Sequence, residues 1–337
     1  MTRPAKLRLS GQPRAAVPTR IHNVETFRAV LLKWYRANRR DLPWRRTKDP
    51  YKIWLSEIML QQTRVAAVLE HYERFLMQFP TVQKLAAAKE ASVLAVWSGL
   101  GYYRRARNLH DAAKVVVKEH AGEFPRTSAA LRSLPGIGRY TAAAIASIAF
   151  GEPVAVVDGN VERVLARITK QSVAGEQVWI TAGRILSPEH PGDFNQAMME
   201  LGATVCLPGE PKCSECPVSG FCRTRGRHPS LVKAPRQNKR EITCALARRD
   251  GSVLLVQRSA NEQLMPGMWE LPQVTPRASE QQLFSVRHSI TVTDYKVQVV
   301  SGSAGEGTWV RRKRLNKLPL TGLTKKILRR AGIIENG

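Results

Sequence analysis

Apolar residues recur at helical spacing from near the start of the chain. Val24, Phe27, Leu31 and Trp34 fall three or four positions apart, which places them on one face of an amphipathic helix. The same period continues from Val24 to Gly202, with few strand signals. Asp49-Pro50 offers a capping carboxylate followed by a proline suited to a first helical turn, so a helix is predicted to begin there. The stretch Thr141 to Phe150 is built of small residues and is apolar nearly all round; a helix with no face for water belongs at the centre of its domain. Its apolar part, Ala142 to Phe150, is far shorter than the roughly 20 residues that cross a bilayer, and no membrane association is expected.

The pattern changes after Cys222. Residues 223 to 240 mix Arg, Lys, His, Pro and Ser with few large apolar side chains, the composition of a linker. Beyond it Ile242, Cys244 and Leu246 alternate, Asp250-Gly251 offers a tight turn, and an apolar run resumes at Val253 to Val256. A β-hairpin is therefore predicted to open a smaller α+β unit, with Cys244 in its core. At the other end, residues 1 to 20 carry Pro4, Pro13 and Pro18 and no apolar segment, which argues against a secretory signal and for a disordered basic arm. At 337 residues the chain exceeds one ordinary domain. The expected divisions are an arm at 1–21, a helical domain at 22–205, a cysteine loop at 206–222, a basic linker at 223–240 and the α+β unit at 241–337. No internal repeat is visible.

Charge narrows the partner. The formal net charge is +26, and it is not confined to a tail: residues 223–337 hold 22 Lys and Arg against 8 Asp and Glu, and residues 1–222 hold 31 against 19. Both parts are suited to a polyanion, and duplex DNA is the default, because cations that neutralise phosphates release condensed counterions.

Four of the five cysteines fall within seventeen residues, as Cys206-x6-Cys213-x2-Cys216-x5-Cys222, in a loop carrying Pro208, Gly209, Pro211, Pro217 and Gly220. Such clustering points to metal ligation in a reducing compartment more than to a disulfide framework. Four thiolates suit tetrahedral zinc or a [4Fe–4S] cluster, and composition does not choose between them.

Three further features bear on chemistry. In Leu134-Pro135-Gly136-Ile137-Gly138, Gly136 and Gly138 permit a sharp turn with exposed amides just ahead of a helix, a geometry that can grip a phosphate. Twenty residues beyond Gly138, the run Val156-Val157 ends in Asp158, which reads locally as a helix N-cap. Glu57 interrupts the otherwise apolar helical segment Pro50 to Leu60, with Ile53, Trp54 and Leu60 three or four residues away on its face. A carboxyl among such neighbours has a raised pKa, as a general acid near neutral pH requires. The competing reading of Glu57 is an ion pair with Arg40, Arg45 or Arg64.

Together with Leu42-Pro43-Trp44, Gly99-Leu100-Gly101-Tyr102-Tyr103 and Phe194-Asn195-Gln196, these features give residues 22 to 225 a resemblance to the MutY-type adenine DNA glycosylases, which are helix-hairpin-helix enzymes with an iron–sulfur cluster. The resemblance implies a mainly α fold: a helix-hairpin-helix glycosylase core with an iron–sulfur cluster loop, followed by a smaller α+β Nudix-like domain. It implies a [4Fe–4S] cluster on Cys206, Cys213, Cys216 and Cys222. The substrate it implies is duplex DNA with adenine mispaired with 8-oxoguanine or guanine, in base excision repair. Glu57 is then similar to the acid that protonates adenine N7, Asp158 to the carboxylate facing the sugar cation, Asn160 to its partner and Gln196 to a residue facing the flipped base. Gln62 and Tyr102 resemble side chains wedged into the base stack, and Arg45 and Leu60 resemble contacts of the DNA or base. Tyr140 stands where related bifunctional enzymes such as endonuclease III have a Schiff-base lysine, so base removal with little strand cleavage is implied.

The last unit resembles the family's Nudix-related module through Gly267-Met268-Trp269-Glu270-Leu271-Pro272, but Arg277 to Phe284 holds only Glu280, so phosphate-anhydride hydrolysis is not expected. Where the family carries a Phe-Ser-His sensor of 8-oxoguanine, this chain has Ile290-Thr291-Val292: Thr291 keeps a hydroxyl and Val292 replaces the histidine. A monomer acting on DNA in a bacterial-type cytoplasm is expected. Two rival readings remain: a bifunctional glycosylase and lyase acting on oxidised pyrimidines, and a noncatalytic cluster-bearing DNA-binding protein.

Overall fold

The computed structural model describes residues 21, 23–170, 175–225, 238–275, 281–290, 292–302 and 306–335. The expected basic arm, apart from Ile21, and most of the expected linker lie outside them. Ile21 itself is buried against the helical core.

Among the described residues eleven α-helices occupy the first part: α1 (Val24–Asn38), α2 (Pro50–Leu60), α3 (Val65–Gln78), α4 (Val82–Ala86), α5 (Glu90–Trp97), α6 (Arg104–Glu119), α7 (Ser128–Leu131), α8 (Arg139–Phe150), α9 (Gly159–Thr169), α10 (Glu176–Ile185) and α11 (Pro191–Thr204). The periodic residues of α1 turn inward as expected, with Phe27 and Leu31 fully buried. Asp49 caps α2 by accepting from Tyr51 N, and Pro50 occupies the first turn. The small-residue helix α8 is central: Ala142, Ala144, Ile145 and Ala146 have no exposed surface.

Two apolar cores form. One gathers α2 to α8, including Trp54, Phe75 and Trp97. The other joins α1 to α9, α10 and α11, including Phe27, Leu165 and Phe194. The chain thus returns from the first core to pack its late helices on its first one, and a cleft lies between the halves.

The second unit contains β1 (Asn238–Ala245), β2 (Arg248–Arg249), β3 (Ser252–Gln257), β4 (Trp269–Glu270), β5 (Gln282–Ile290), β6 (Thr293–Val300), β7 (Thr308–Arg311), α12 (Arg312–Leu315) and α13 (Gly322–Arg330). The expected opening hairpin needs correction. Asp250 and Gly251 do form a turn with both φ positive (48° and 68°), the type I′ geometry of a two-residue hairpin, but the strands it joins are only β2 and β3. β1 instead runs parallel to β6 in a sheet ordered β1-β6-β5. Its alternation fits a half-buried strand in either sheet, so the pattern could not name the partner. Cys244 is buried in this unit's core, as expected.

The two units are in contact. Met268 is fully buried within the first helical core. Leu320 O accepts from Ser98 Oγ (2.5 Å) and Tyr103 OH (3.3 Å), and Arg107 donates to Pro266 O.

Candidate active site

Glu57 sits on α2, 5% exposed. Its Oε2 accepts a 2.5 Å hydrogen bond from Tyr140 OH, on the first turn of α8, and Tyr140 also meets Met199 Sδ at 3.5 Å. Burial pushes the Glu57 carboxyl up, and the charge of Asp158 adds to this; the Tyr140 bond and Arg45 oppose it, leaving the group at about 7. The same desolvation, with Glu57 and Asp158 beside it, holds the Tyr140 phenol well above its usual range, so Tyr140 is a fixed donor. Among the described residues Glu57 forms no ion pair with arginine: Arg40 and Arg45 both bind Glu200.

Asp158 ends the extended run before α9 and caps that helix, Oδ1 accepting from Val161 N at 2.8 Å. Its Oδ2 accepts from Asn160 Nδ2 at 2.8 Å. Asn160 Oδ1 in turn accepts from Arg163 Nη2 (2.8 Å), and Arg163 Nε donates to Cys206 O (2.9 Å). A polar chain therefore runs from Asp158 to the first cysteine. It depends on close packing of α9 and α11, because a Cβ at Gly202 would lie 2.6 Å from that of Asn160.

Both carboxylates line one cavity of about 630 Å³, together with Tyr140, Asn160, Arg45, Leu60, Gln62 and Gln196. Gln196 is buried and its Nε2 bonds Gly192 O. The structure adds Arg40 and Glu200 to the wall. Burial favours the neutral form of Glu200, but charge-assisted bonds from Arg40 and Arg45 outweigh it and hold the carboxyl at about 2. Glu200 stands 160 positions from Arg40 in the chain, so no local pattern could pair them.

Tyr102 and the hairpin lie outside this cavity's lining. Gln62 and Tyr102 are both exposed and both left-handed, with φ 55° and 49°. A half-buried guanidinium joins their turns: Arg105 donates to the carbonyls of Ile58, Met59, Gln61, Leu100 and Gly101 and to Thr63 Oγ1, and lies 5.4 Å from both the Trp97 and Tyr102 ring centres. Sequence reasoning missed Arg105, although a cation just after a glycine-rich loop was a usable signal. In the hairpin Gly136 has φ 71°, and a Cβ there would strike Asn108 at 2.5 Å; Gly138 has ordinary extended backbone and open space around it. Thr291 lies outside the described residues. Its neighbour Val292 is 46% exposed.

Cys206, Cys213, Cys216 and Cys222 share the wall of one pocket with Arg167 and Arg225. Arg167 is buried, with Nη1 3.3 Å from Cys206 Sγ. Among the described residues no three His, Cys, Asp or Glu side chains converge on a point that would hold one ion. Four soft thiols gathered on one pocket wall are a donor set that fits a thiolate-held metal centre, a [4Fe–4S] cluster included.

A helical fold with a hairpin, a capping aspartate and a buried glutamate in one cleft defines a class, and comparison with known proteins agrees. Residues 55–174 match the model of the HhH-GPD superfamily of base excision DNA repair proteins. A solved thermostable thymine-DNA glycosylase is 31% identical, with a TM-score of 0.57, the match covering 61% of this chain and 97% of that one. An endonuclease III–DNA covalent intermediate is 25% identical, with a TM-score of 0.53, covering 61% and 98%. The chain belongs to the HhH-GPD superfamily. Among its relatives, the adenine DNA glycosylase of Homo sapiens is 41% identical, the match covering 77% of this chain and 60% of that protein; that of Arabidopsis thaliana is 40% identical, covering 75% and 48%. The chain thus spans about half to two thirds of the length of these relatives.

Proposed function

We propose that this chain is a monofunctional DNA glycosylase that removes adenine mispaired with 8-oxoguanine or guanine from duplex DNA. The observation that carries the reading is Glu57: a buried carboxyl raised to about 7, so that it still carries its proton in part near neutral pH, bonded by a phenol and sharing a cavity with a second carboxylate. Similarity to adenine DNA glycosylases supports adenine as the base.

The adenine leaves the stack at a cost of a few kcal/mol, offset by pocket contacts and inserted side chains; Gln62 and Tyr102 serve as the wedges, and Gln196, Arg45 and Leu60 face the base. Glu57 donates its proton to N7, making adenine a neutral leaving group. As the glycosidic bond breaks, the sugar gains oxocarbenium character, and Asp158, oriented by Asn160, stabilises it until water adds at the anomeric carbon. Paired carboxylates flanking a glycosidic carbon are the general arrangement for this chemistry. Tyr140 has no amine for a Schiff base, which favours base removal over lyase action. Gly136 and Gly138 grip the backbone, the open space at Gly138 admitting a phosphate to the α8 amides.

The four cysteines hold a [4Fe–4S] cluster that, when bound, fixes their loop. Thr291 and Val292, which lie in sequence between β5 and β6, read the partner base. Among the described residues no helix is long and apolar enough to cross a membrane; the protein is proposed to act on DNA as a cytoplasmic monomer.

The test is single-turnover excision by the full chain across a panel of mispairs, with borohydride trapping alongside. Adenine release opposite 8-oxoguanine and guanine, without a trapped adduct, is expected. Release of oxidised pyrimidines with efficient trapping would overturn the reading in favour of the bifunctional alternative.

A further inference from the structure

A cavity of about 500 Å³ lies between the two units, away from the carboxylates. From the helical side it is lined by His71 of α3 and by Ser98 and Gly99; from the other by His288 of β5 and by Lys325, Lys326, Arg329 and Arg330 of α13. Four cations and two imidazoles thus share a space with no lining carboxylate.

How these cations are held matters more than their number. Lys325 Nζ donates to Ser98 O (2.9 Å), Lys326 Nζ to Arg287 O (2.6 Å) and Arg330 Nη1 to Ser285 O (2.8 Å), with Arg330 also over the Phe284 ring. These three are each anchored by a carbonyl, which fixes the position and uses one N–H without cancelling the charge. None of the four enters a salt bridge found among the described residues, and the nearby Glu70 is paired with Arg74. Burial above all, with the neighbouring Arg74 and Arg329 adding to it, pushes the Lys325 ammonium down to about 8. His71 and His288 are lowered for similar reasons, so near neutral pH they are neutral donors or acceptors. An anion placed here relieves repulsion that the fold otherwise retains.

The position identifies the anion. Gly99 stands three residues before Tyr102, and His288 three before Thr291, so the cavity is bounded by the chain segments that lead to one proposed wedge and to the proposed sensor turn. We propose that this interdomain cavity binds a phosphate group of duplex DNA, from the backbone of the strand that carries the adenine's partner base. The assignment rests on the glycosylase reading for the identity of the strand. In this arrangement one phosphate touches both units at once, so the strand being inspected clamps the sensor unit against the helical one.

The experiment is equilibrium binding of the full chain to duplex DNA containing a guanine–adenine pair, measured across a salt series. Each phosphate contact contributes about 0.9 to the slope of log K against log salt. The double variant Lys326→Ala with Arg329→Ala is expected to lower that slope by about one and to weaken binding about tenfold near 0.1 M salt, while the excision rate of bound adenine stays unchanged. A control, Lys313→Ala with Lys317→Ala, removes two cations outside the cavity and is expected to leave the slope as it was. Equal slopes for parent and cavity variant, or equal losses in both double variants, would overturn the site. Calorimetry with inorganic phosphate separates the sources: tight binding of free phosphate, lost in the cavity variant without a change in the DNA slope, overturns the DNA assignment. Binding is read without excision, so its failure and that of the proposed activity are distinguishable.

Discussion

The Glu57 cleft and the β5–β6 hairpin are both proposed to read one base pair, yet they are built on opposite principles. In the cleft Glu57, Tyr140, Gln196 and Glu200 are wholly or largely withdrawn from water, and each carries a hydrogen-bond partner. At the hairpin Val292 is 46% exposed and the strand leading to it alternates between exposed and half-buried positions. Proton transfer to a base needs a carboxyl whose charge is disfavoured, and at Glu57 burial is the largest cause of that. Recognition of a partner base needs a tip that can enter a groove, and burial would prevent it.

The largest effect is expected where desolvation does most. Glu57→Gln should lower single-turnover excision by about a thousandfold or more with DNA binding retained, and normal turnover would remove Glu57 from its role. A stability measurement sharpens this. The folded carboxyl titrates at about 7 against an ordinary 4.5, so ionising it opposes folding: stability is complete below the ordinary value and falls as pH rises through 7. An upper bound on that loss is about 3 kcal/mol, at about 1.36 kcal/mol per unit. The neutral amide of the variant escapes it, so Glu57→Gln should melt above the parent at pH 8 and together with it at pH 4. Asp158→Asn should also abolish excision while folding normally, because asparagine caps a helix as well as aspartate; substantial residual activity would reduce Asp158 to a cap.

Arg105 lies between the two extremes, since it is itself half-buried and supports exposed residues. Arg105→Lys keeps the charge and loses the planar fork that reaches carbonyls on both turns. Excision of adenine from a duplex is expected to fall about ten- to a hundredfold, the cost of one or two buried bonds to a charged group. On a substrate with adenine opposite an abasic gap, where less stack must be opened, most of that loss should disappear. An equal loss on both substrates would mean that Arg105 supports the fold alone.

What could be read from the chain follows the same division. The helical period, the Asp49 cap and the central α8 were legible because each is set by neighbours within a turn or two. Glu57, Asp158 and the four cysteines were legible as motifs. Glu200 and its arginines were not, because an ion pair across 160 positions leaves no periodic trace, and Arg105 looked like one cation among many. The partner of β1 was misread for a related reason: alternation records which face is buried and is silent about the edge to which a strand bonds.

A smaller effect tests how finely the cleft is tuned. Tyr140 donates to the ionised form of Glu57 and so lowers its pKa. In Tyr140→Phe that restraint is gone, and the high-pH limb of the excision profile, set by loss of the Glu57 proton, should move upward by on the order of one pH unit. A limb that stays in place would assign the titration to another group.

The smallest effect is expected at the hairpin, where a solvated side chain competes with water for every bond it makes. Val292→His introduces an imidazole at an exposed position whose backbone oxygen already bonds Asn238 N at 2.8 Å, so the strand pairing should survive the change. Under the proposed reading, the preference for adenine opposite 8-oxoguanine over adenine opposite guanine should rise about fivefold, the worth of one partly solvated hydrogen bond near 1 kcal/mol. The excision rate of bound adenine should not move, because nothing at Val292 touches the cleft. A change in that rate with no change in preference would break the division of labour between the two regions.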